Sequence, residues 1–196
     1  SQPVQIIPIA LSSLTGIFNR ERNSLQSTEF SFSRFLAPYL SDYQGWSIFM
    51  DCDMLVLDDI ANLWNLRDEK FALMCVHHEH VTEHKLKFLN QTQTKYERKN
   101  WSSVMLMNNA KCTGLTPNYV ETATGLDLHR FKWLKDEQIG EIPSRWNHLV
   151  DYDPHLPVTE ISNLHFTEGG PYFEDYKTCG YAENWLAEYQ EVIKPL

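Results

Sequence analysis

Two aspartates, Asp51 and Asp53, flank a single cysteine, Cys52, directly after the apolar run Trp46 to Met50 and before a second run, Met54 to Leu57. On an extended backbone residues i and i+2 face the same side, so this spacing sets two carboxylates side by side where a buried strand ends. Hard carboxylate oxygens are the ligands that Mg2+ and Mn2+ prefer. A divalent cation held at a strand end can in turn hold a diphosphate, and the pair therefore points to chemistry on a nucleotide sugar. The plainer alternative is that the two side chains only solvate the end of the strand.

The elements that must position this pair can be read from the surrounding apolar runs. Val4 to Ile9 reads as a strand, with Pro8 placing it at an edge or ending it. Ser27 or Thr28 caps a helix with Glu29 in its first turn, and Phe32, Phe35, Leu36, Tyr39 and Leu40 recur at helical spacing around Arg34. Strands are expected at Ser47 to Met50, Met54 to Leu57, Phe71 to Val76, Val104 to Met107 and Ile161 to Phe166. Helices are expected at Asp59 to Trp64, with Asp58 and Asp59 capping, from Pro117 to Thr122, and from Ala182 to Ile193, and the aromatics of Tyr181 to Tyr189 are expected to pack in the core, with a carbohydrate-stacking platform as the lesser alternative. Trp133 to Asn147 alternates aromatic, acidic and turn residues without a clear period, and the polar segment His77 to Lys99 is long enough to act as a lid. Strands alternating with helices imply an α/β layered fold.

Composition narrows the classes of partner. The chain has 196 residues, 42% of them hydrophobic, which is enough for one domain, 1–196, to bury a core without staples. A net charge of -9 leaves no basic footprint for a nucleic acid, so an anionic donor needs a bridging cation. Cys52, Cys75, Cys112 and Cys179 form no CxxC pair and fit a reducing, cytoplasmic setting. No apolar stretch approaches the roughly 20 residues of a membrane-spanning helix.

Four motifs in order carry a resemblance. The stretch from Gln26 to Trp64, with SRF and then GWSIFMDCDMLVLDDIANLW, is followed by NWSSVMLMNN, DEQIGEIPSRWNHL and LHFTEGGPYF. Together they resemble the glycogenin-like, family-8 retaining glycosyltransferases, most closely a bacterial branch, and the resemblance runs over most of the chain. It implies a single GT-A domain, an α/β Rossmann-like mixed sheet flanked by helices, with the donor bound at the carboxyl ends of the strands. Relatives begin with a strand and helix that bind the nucleotide base, and these are expected to be missing before Val4.

The resemblance also implies roles. Asp51 meets the donor ribose or the metal, Asp53 ligates the metal, and His165 completes the metal site. One imidazole beside two carboxylates shifts the preference from Mg2+ toward Mn2+. Glu137-Gln138 occupies the place of an Asp-Gln pair beneath the sugar, so Gln138 sets its amide oxygen near the developing oxocarbenium carbon, with retention of configuration. Arg34 meets a phosphate or ribose, Ser102 and Ser103 stand beside the donor sugar, and Trp146-Asn147 lines the same pocket. The donor is a nucleotide-diphosphate sugar, UDP-linked, and the acceptor a carbohydrate or glycolipid. The chain departs from the pattern where relatives carry a Gly and a Lys beyond the metal histidine: Glu168 and Pro171 hold those places, with Gly169 and Gly170 between them. Backbone N–H groups of Gly169 and Gly170 can still face an anion.

Other readings compete. A haloacid-dehalogenase-type phosphatase also places DxD after an apolar strand, with the first Asp as nucleophile, but that pattern wants Thr or Val where Leu55 stands. A non-catalytic module on the same fold would bind a sugar or protein only. His77, His78, His80 and His84 invite a zinc site, although HExxH is absent and a solvated loop accounts for them. Arg34 could simply pair with Glu29.

Overall fold

A computed structural model describes residues 2–21, 30–79 and 98–194. In chain order its strands are β1 (Trp46–Met50), β2 (Met54–Val56), β3 (Leu73–Cys75), β4 (Val104–Asn108), β5 (Ile139–Glu141), β6 (His148–Leu149) and β7 (Asn163–His165). The helices are α1 (Ala37–Leu40), α2 (Ile60–Trp64), α3 (Pro117–Thr122), α4 (Gly125–His129) and α5 (Ala182–Val192), interspersed with short 3-10 turns. Contacts within the chain group into two compact units, one formed by Met50–Leu66 and Pro143–Leu196, the other by Gln2–Phe49 and Arg67–Ile142.

The second unit is built on a sheet in the order β1-β4-β3-β5, with β3 antiparallel to β4 and parallel to β5. Every residue of β4 is buried, as befits a strand covered on both faces. Leu73, Cys75, Met105 and Met107 share a core with Phe35, Leu36, Leu115, Leu128 and Phe131. Burial pushes the Cys75 thiol well above its ordinary value and that of Cys112 up to about 12, so both behave as small hydrophobes. Gly140 of β5 leaves no room for a side chain, since a Cβ there would lie 2.5 Å from the Phe71 ring.

The first unit carries the sheet β2-β7-β6. β2 is antiparallel to β7 with Met54 opposite His165 and Val56 opposite Asn163, and β6 is parallel to β7 with Leu149 opposite His165. Period-two alternation then sorts the faces. Leu55, Leu57, Leu164 and Phe166 join Val150, Ile161 and Tyr181 in the core, while Met54, Asn163 and His165 face the other way. Asp59 caps α2 through its Oδ1, which accepts from the Ala61 N–H at 2.9 Å. Asp58 accepts from the Asp59 N–H, the Asn62 amide and the Ser162 hydroxyl, bonds that hold its carboxyl below the usual carboxylate range.

Several expectations are corrected. Residues 4–9 form no strand among the described residues; Val4, Ile6 and Ile7 are exposed, and Pro3 and Pro8 withhold two backbone donors from any ladder. The helix around Arg34 is a 3-10 turn, Ser33–Leu36, running into the single α-turn α1. It ends where Asp42, Tyr43 and Gly45 take positive φ. Its expected caps, Ser27 and Thr28, and Glu29 lie outside the described residues, as do most of the expected lid and His80 and His84. The expected core packing of the aromatics from Tyr181 to Tyr189 holds in part: Tyr181 is buried in the core and Trp185 packs against it, while Tyr189 is exposed and no residue of α5 itself is fully buried. The unpatterned stretch Trp133 to Asn147 contains β5.

Candidate functional site

Asp51, Asp53 and His165 each offer one ligand atom, and these atoms lie within 4.8 Å of one another. The two aspartates converge across a bend at Cys52 and Asp53 that separates β1 from β2, rather than along the continuous extended strand their spacing suggests. His165 arrives from the middle strand of the small sheet, opposite Met54. The Phe166 N–H donates to the Asp53 carbonyl at 2.9 Å, tying the end of β7 to the bend.

The imidazole of His165 is 3% exposed. Its Nδ1 lies 3.0 Å from Asn147 Oδ1. An amide oxygen only accepts, so Nδ1 carries a proton, and in the neutral ring Nε2 then presents a lone pair. That Nε2 lies 3.4 Å from Asp53 Oδ1, an oxygen that is buried and has no hydrogen-bond donor. With the ring neutral these are two acceptors facing each other out of water, a costly arrangement that either a proton or a metal cation between them relieves. A divalent metal fits this donor set, two carboxylates and one neutral imidazole, and Asn147 holds the ring in the tautomer a ligand requires.

The loop after β7 is tightly built. The Gly169 N–H donates to the Phe166 carbonyl at 2.9 Å, and its φ of +147° favours glycine. A Cβ on Gly170 would lie 2.3 Å from the Tyr172 ring. The Gly170 amide hydrogen-bonds to the Tyr172 phenol, while burial, then Asp53 and Cys52, push that phenol above its ordinary range. Both glycine amides are therefore engaged within the loop, and Tyr172 stands where the sequence reading put an anion.

The other expected site residues in this unit are Trp146 and Asn147, both buried. The Trp146 carbonyl accepts from Asn163 Nδ2 at 3.0 Å, which braces the segment that carries Asn147.

Arg34, Ser102, Ser103, Glu137 and Gln138 belong to the other unit. Arg34 is buried; its Nε donates to the Ser31 carbonyl at 2.9 Å and its Nη1 to the Ser102 carbonyl at 3.0 Å, with the guanidinium over the Phe49 ring. Ser102 Oγ lies 2.7 Å from His129 Nδ1. Burial, followed by the Arg34 charge, lowers His129 to about 3, so it is neutral at physiological pH. The Ser103 hydroxyl donates to the Asn100 carbonyl at 2.7 Å. Gln138 Oε1 accepts from the Lys135 N–H at 3.0 Å, closing the turn that leads into β5, and Glu137 is exposed.

Sequence reasoning missed three partners: Asn147 as the orienter of His165, Tyr172 as the occupant of the glycine loop, and His129 as the partner of Ser102. Asn147 and His129 are single polar residues whose role appears only when distant segments meet. Tyr172 carried a faint signal in the departure at Glu168 and Pro171.

Comparison with known proteins agrees with this architecture. The family model described as glycosyl transferase family 8 matches residues 3–165. Protein CDI of Arabidopsis thaliana is 49% identical over 201 residues, spanning 99% of this chain and 78% of that protein. The apo glycosyltransferase GlyE of Streptococcus pneumoniae TIGR4 is similar in structure with a TM-score of 0.52 at 17% identity, over 86% of this chain. This chain spans 44% of the length of GlyE. The galactosyltransferase LgtC, crystallised with donor and acceptor sugar analogs, has a TM-score of 0.57 at 16% identity, covering 94% of this chain and 74% of that one. At such identities the solved structures speak for the GT-A fold, and the family match leaves the phosphatase alternative without support. With a family model spanning most of its length and a mixed α/β fold of the same type, the chain belongs to glycosyl transferase family 8 and is a glycosyltransferase by class.

Proposed function

We propose that the protein moves a sugar from a nucleotide-diphosphate sugar, UDP-linked, to a carbohydrate or glycolipid acceptor, with retention of configuration, using Mn2+ (or Mg2+) held by Asp51, Asp53 and His165. The observation that carries this reading is the convergence of Asp51, Asp53 and His165, with the buried Asp53 Oδ1 3.4 Å from His165 Nε2. When bound, a divalent cation supplies Lewis-acid stabilisation of the leaving diphosphate.

The remaining work falls to the chain's own residues. Asp51 and Asp53 supply hard oxygens, and Asn147 holds the His165 tautomer with its proton on Nδ1, which leaves Nε2 as the ligand atom of the neutral ring. Arg34, Ser102 and Ser103 are the proposed contacts to the donor's ribose, phosphate and sugar, and Trp146 with Asn147 is proposed to contact the donor sugar. Gly169 and Gly170 shape the loop on which the diphosphate rests, with the Tyr172 hydroxyl as the polar group presented there. In the transfer the bond between the anomeric carbon and the phosphate oxygen breaks and the acceptor hydroxyl oxygen bonds that carbon. The hydroxyl proton passes to the leaving phosphate. Gln138 sets its amide oxygen beside the carbon as positive charge develops, after leaving its bond to Lys135, and Glu137 holds the turn. Support for a working glutamine comes from LgtC, of which an active-site variant with glutamine replaced by glutamate has been crystallised.

A cytoplasmic setting is part of the proposal, supported by four free cysteines, with Cys52 exposed between the two aspartates. Among the described residues no helix is long and apolar enough to cross a membrane.

The test is donor hydrolysis with UDP-, GDP- and ADP-sugars in Mn2+ and in Mg2+. Turnover of a UDP-sugar that is fastest in Mn2+ and lost in Asp53→Asn supports the proposal. Equal turnover in Mg2+ alone counts against the ligand set, an inverted product against retention, and silence toward every donor favours a non-catalytic binding module.

A further inference from the structure

The geometry points to an acceptor platform for a neutral oligosaccharide, formed by the aromatic ladder Tyr172, Trp185 and Tyr189 that leads away from the metal loop. This inference rests on the transferase reading above and deepens it by naming the acceptor class.

The ladder is continuous. Tyr172 packs against Trp185 with ring centroids 5.4 Å apart, and Trp185 stacks on Tyr189 at 5.1 Å with the planes 13° apart. Phe173 flanks Tyr172 at 4.8 Å. At its inner end the ladder meets the site, because Tyr172 lies against Gly170 and within the field of the Asp53 carboxylate. At its outer end it is open: Tyr189 is 44% exposed and Tyr172 43%. An amphipathic helix ordinarily buries its apolar stripe, yet α5 buries none of its residues. With Trp185 seated against the core and Tyr172 and Tyr189 open to water on either side of it, the row forms a rigid recognition surface more than a packing element.

The chemistry of the surface selects the occupant. Pyranose rings present flat C–H faces that lie on aromatic rings, while their hydroxyls bond to the polar tips of Tyr and Trp. The helix carries Glu183, Glu188 and Glu191, which repel a polyanionic glycan. A surface for anionic lipid would set Lys and Arg on the polar face, and within α5 there is none. A neutral glycan running out from a transfer site fits the direction of the ladder, since the end to be extended must reach the metal loop and the rest needs support beyond it.

Binding of maltohexaose, cellohexaose, xylohexaose and β-1,4-galactohexaose to the whole protein can be followed by tryptophan fluorescence and calorimetry, alongside Mn2+-dependent hydrolysis of a UDP-sugar without acceptor. At least one neutral hexaose is expected to bind and perturb tryptophan emission. Tyr189→Ala and Trp185→Ala should each weaken it about three- to tenfold while leaving donor hydrolysis unchanged. Trp185 also packs against the core of its unit, so the exposed Tyr189 is the decisive position and Tyr189→Phe should restore binding. Donor hydrolysis without binding of any neutral hexaose overturns the platform and leaves the transferase reading standing. Hexaose binding lost in Tyr189→Ala, without hydrolysis of any donor, supports a glycan-binding ladder but overturns its acceptor role together with the transfer reading. Binding only to phosphatidylglycerol vesicles, or a dimer that Tyr189→Ala dissolves, also overturns it.

Discussion

Replacing Asn147 with leucine, a side chain of nearly the same size, tests whether the proposed metal centre depends on the proton at His165 Nδ1. In the native protein that proton is donated to Asn147 Oδ1 at 3.0 Å, and the ring is 3% exposed. Without the acceptor, water cannot readily take its place. Leaving the N–H unsatisfied costs about 1–3 kcal/mol. Moving the proton to Nε2 avoids that cost, but Nε2 then donates toward Asp53 Oδ1, 3.4 Å away, and the ligand atom is lost to the metal. By either route Mn2+ affinity should fall about 10- to 100-fold, or roughly 1.4–2.8 kcal/mol. Asn147→Asp keeps an acceptor at the same place and should retain affinity far better than the leucine variant. Calorimetric titration of Mn2+, with free Mn2+ counted by electron paramagnetic resonance, measures this directly, and Asp53→Asn serves as the control that abolishes binding. If Asn147→Leu binds Mn2+ within about twofold of the native protein while Asp53→Asn does not bind, the histidine is oriented by something else and the reasoning fails.

Two predictions concern the other unit. His129 is lowered from 6.5 to about 3, first by burial and then by Arg34. Between those values the unfolded chain binds the proton and the folded one does not, so the stability is fully present above pH 6.5 and lost as pH falls toward 3, at ~1.4 kcal/mol per pH unit at most. Urea unfolding at a series of pH values should show a shallower acid limb for His129→Gln, and an unchanged limb would refute the assignment. Arg34→Lys should cost about 1–3 kcal/mol, because one ammonium cannot reproduce the fork that serves the Ser31 and Ser102 carbonyls. A thermal melt within error of the native protein would show that the fork is not structural.

What could be read from the sequence, and what could not, divides along a physical line. β1, β2, β3, β4 and β7 each fall inside an apolar run visible in one dimension, although their ends differ because pairing, not propensity, decides where a strand stops. β5 and β6 had no such signal. Ile139–Glu141 is a strand because β3 lies beside it, and His148–Leu149 because β7 does. The apolar run at residues 4–9 shows the converse, with strand-forming residues and no ladder among the described residues. Asp51, Asp53 and His165 could be named from motif order alone. Their second layer could not, since Asn147 and His165 stand 18 positions apart.

The register of one small sheet carries that second layer and the centre itself. With Met54 opposite His165 and Leu149 opposite the same histidine, Asn147 is brought beside the ring and Leu164 is turned to the core. Strand side chains alternate with a period of two, so a slip of one residue would send His165 into the apolar space of Leu164 and set the leucine beside the aspartates. Both faces of β7 are buried, and burying the imidazole among apolar side chains without its hydrogen-bond partner, at about 1–3 kcal/mol, opposes the slip. The hydrophobic side of β7 is thus what aims the histidine on its other side at the aspartates, and the proposed metal centre of three residues is held in place by Leu164 and Phe166, packed on the opposite face.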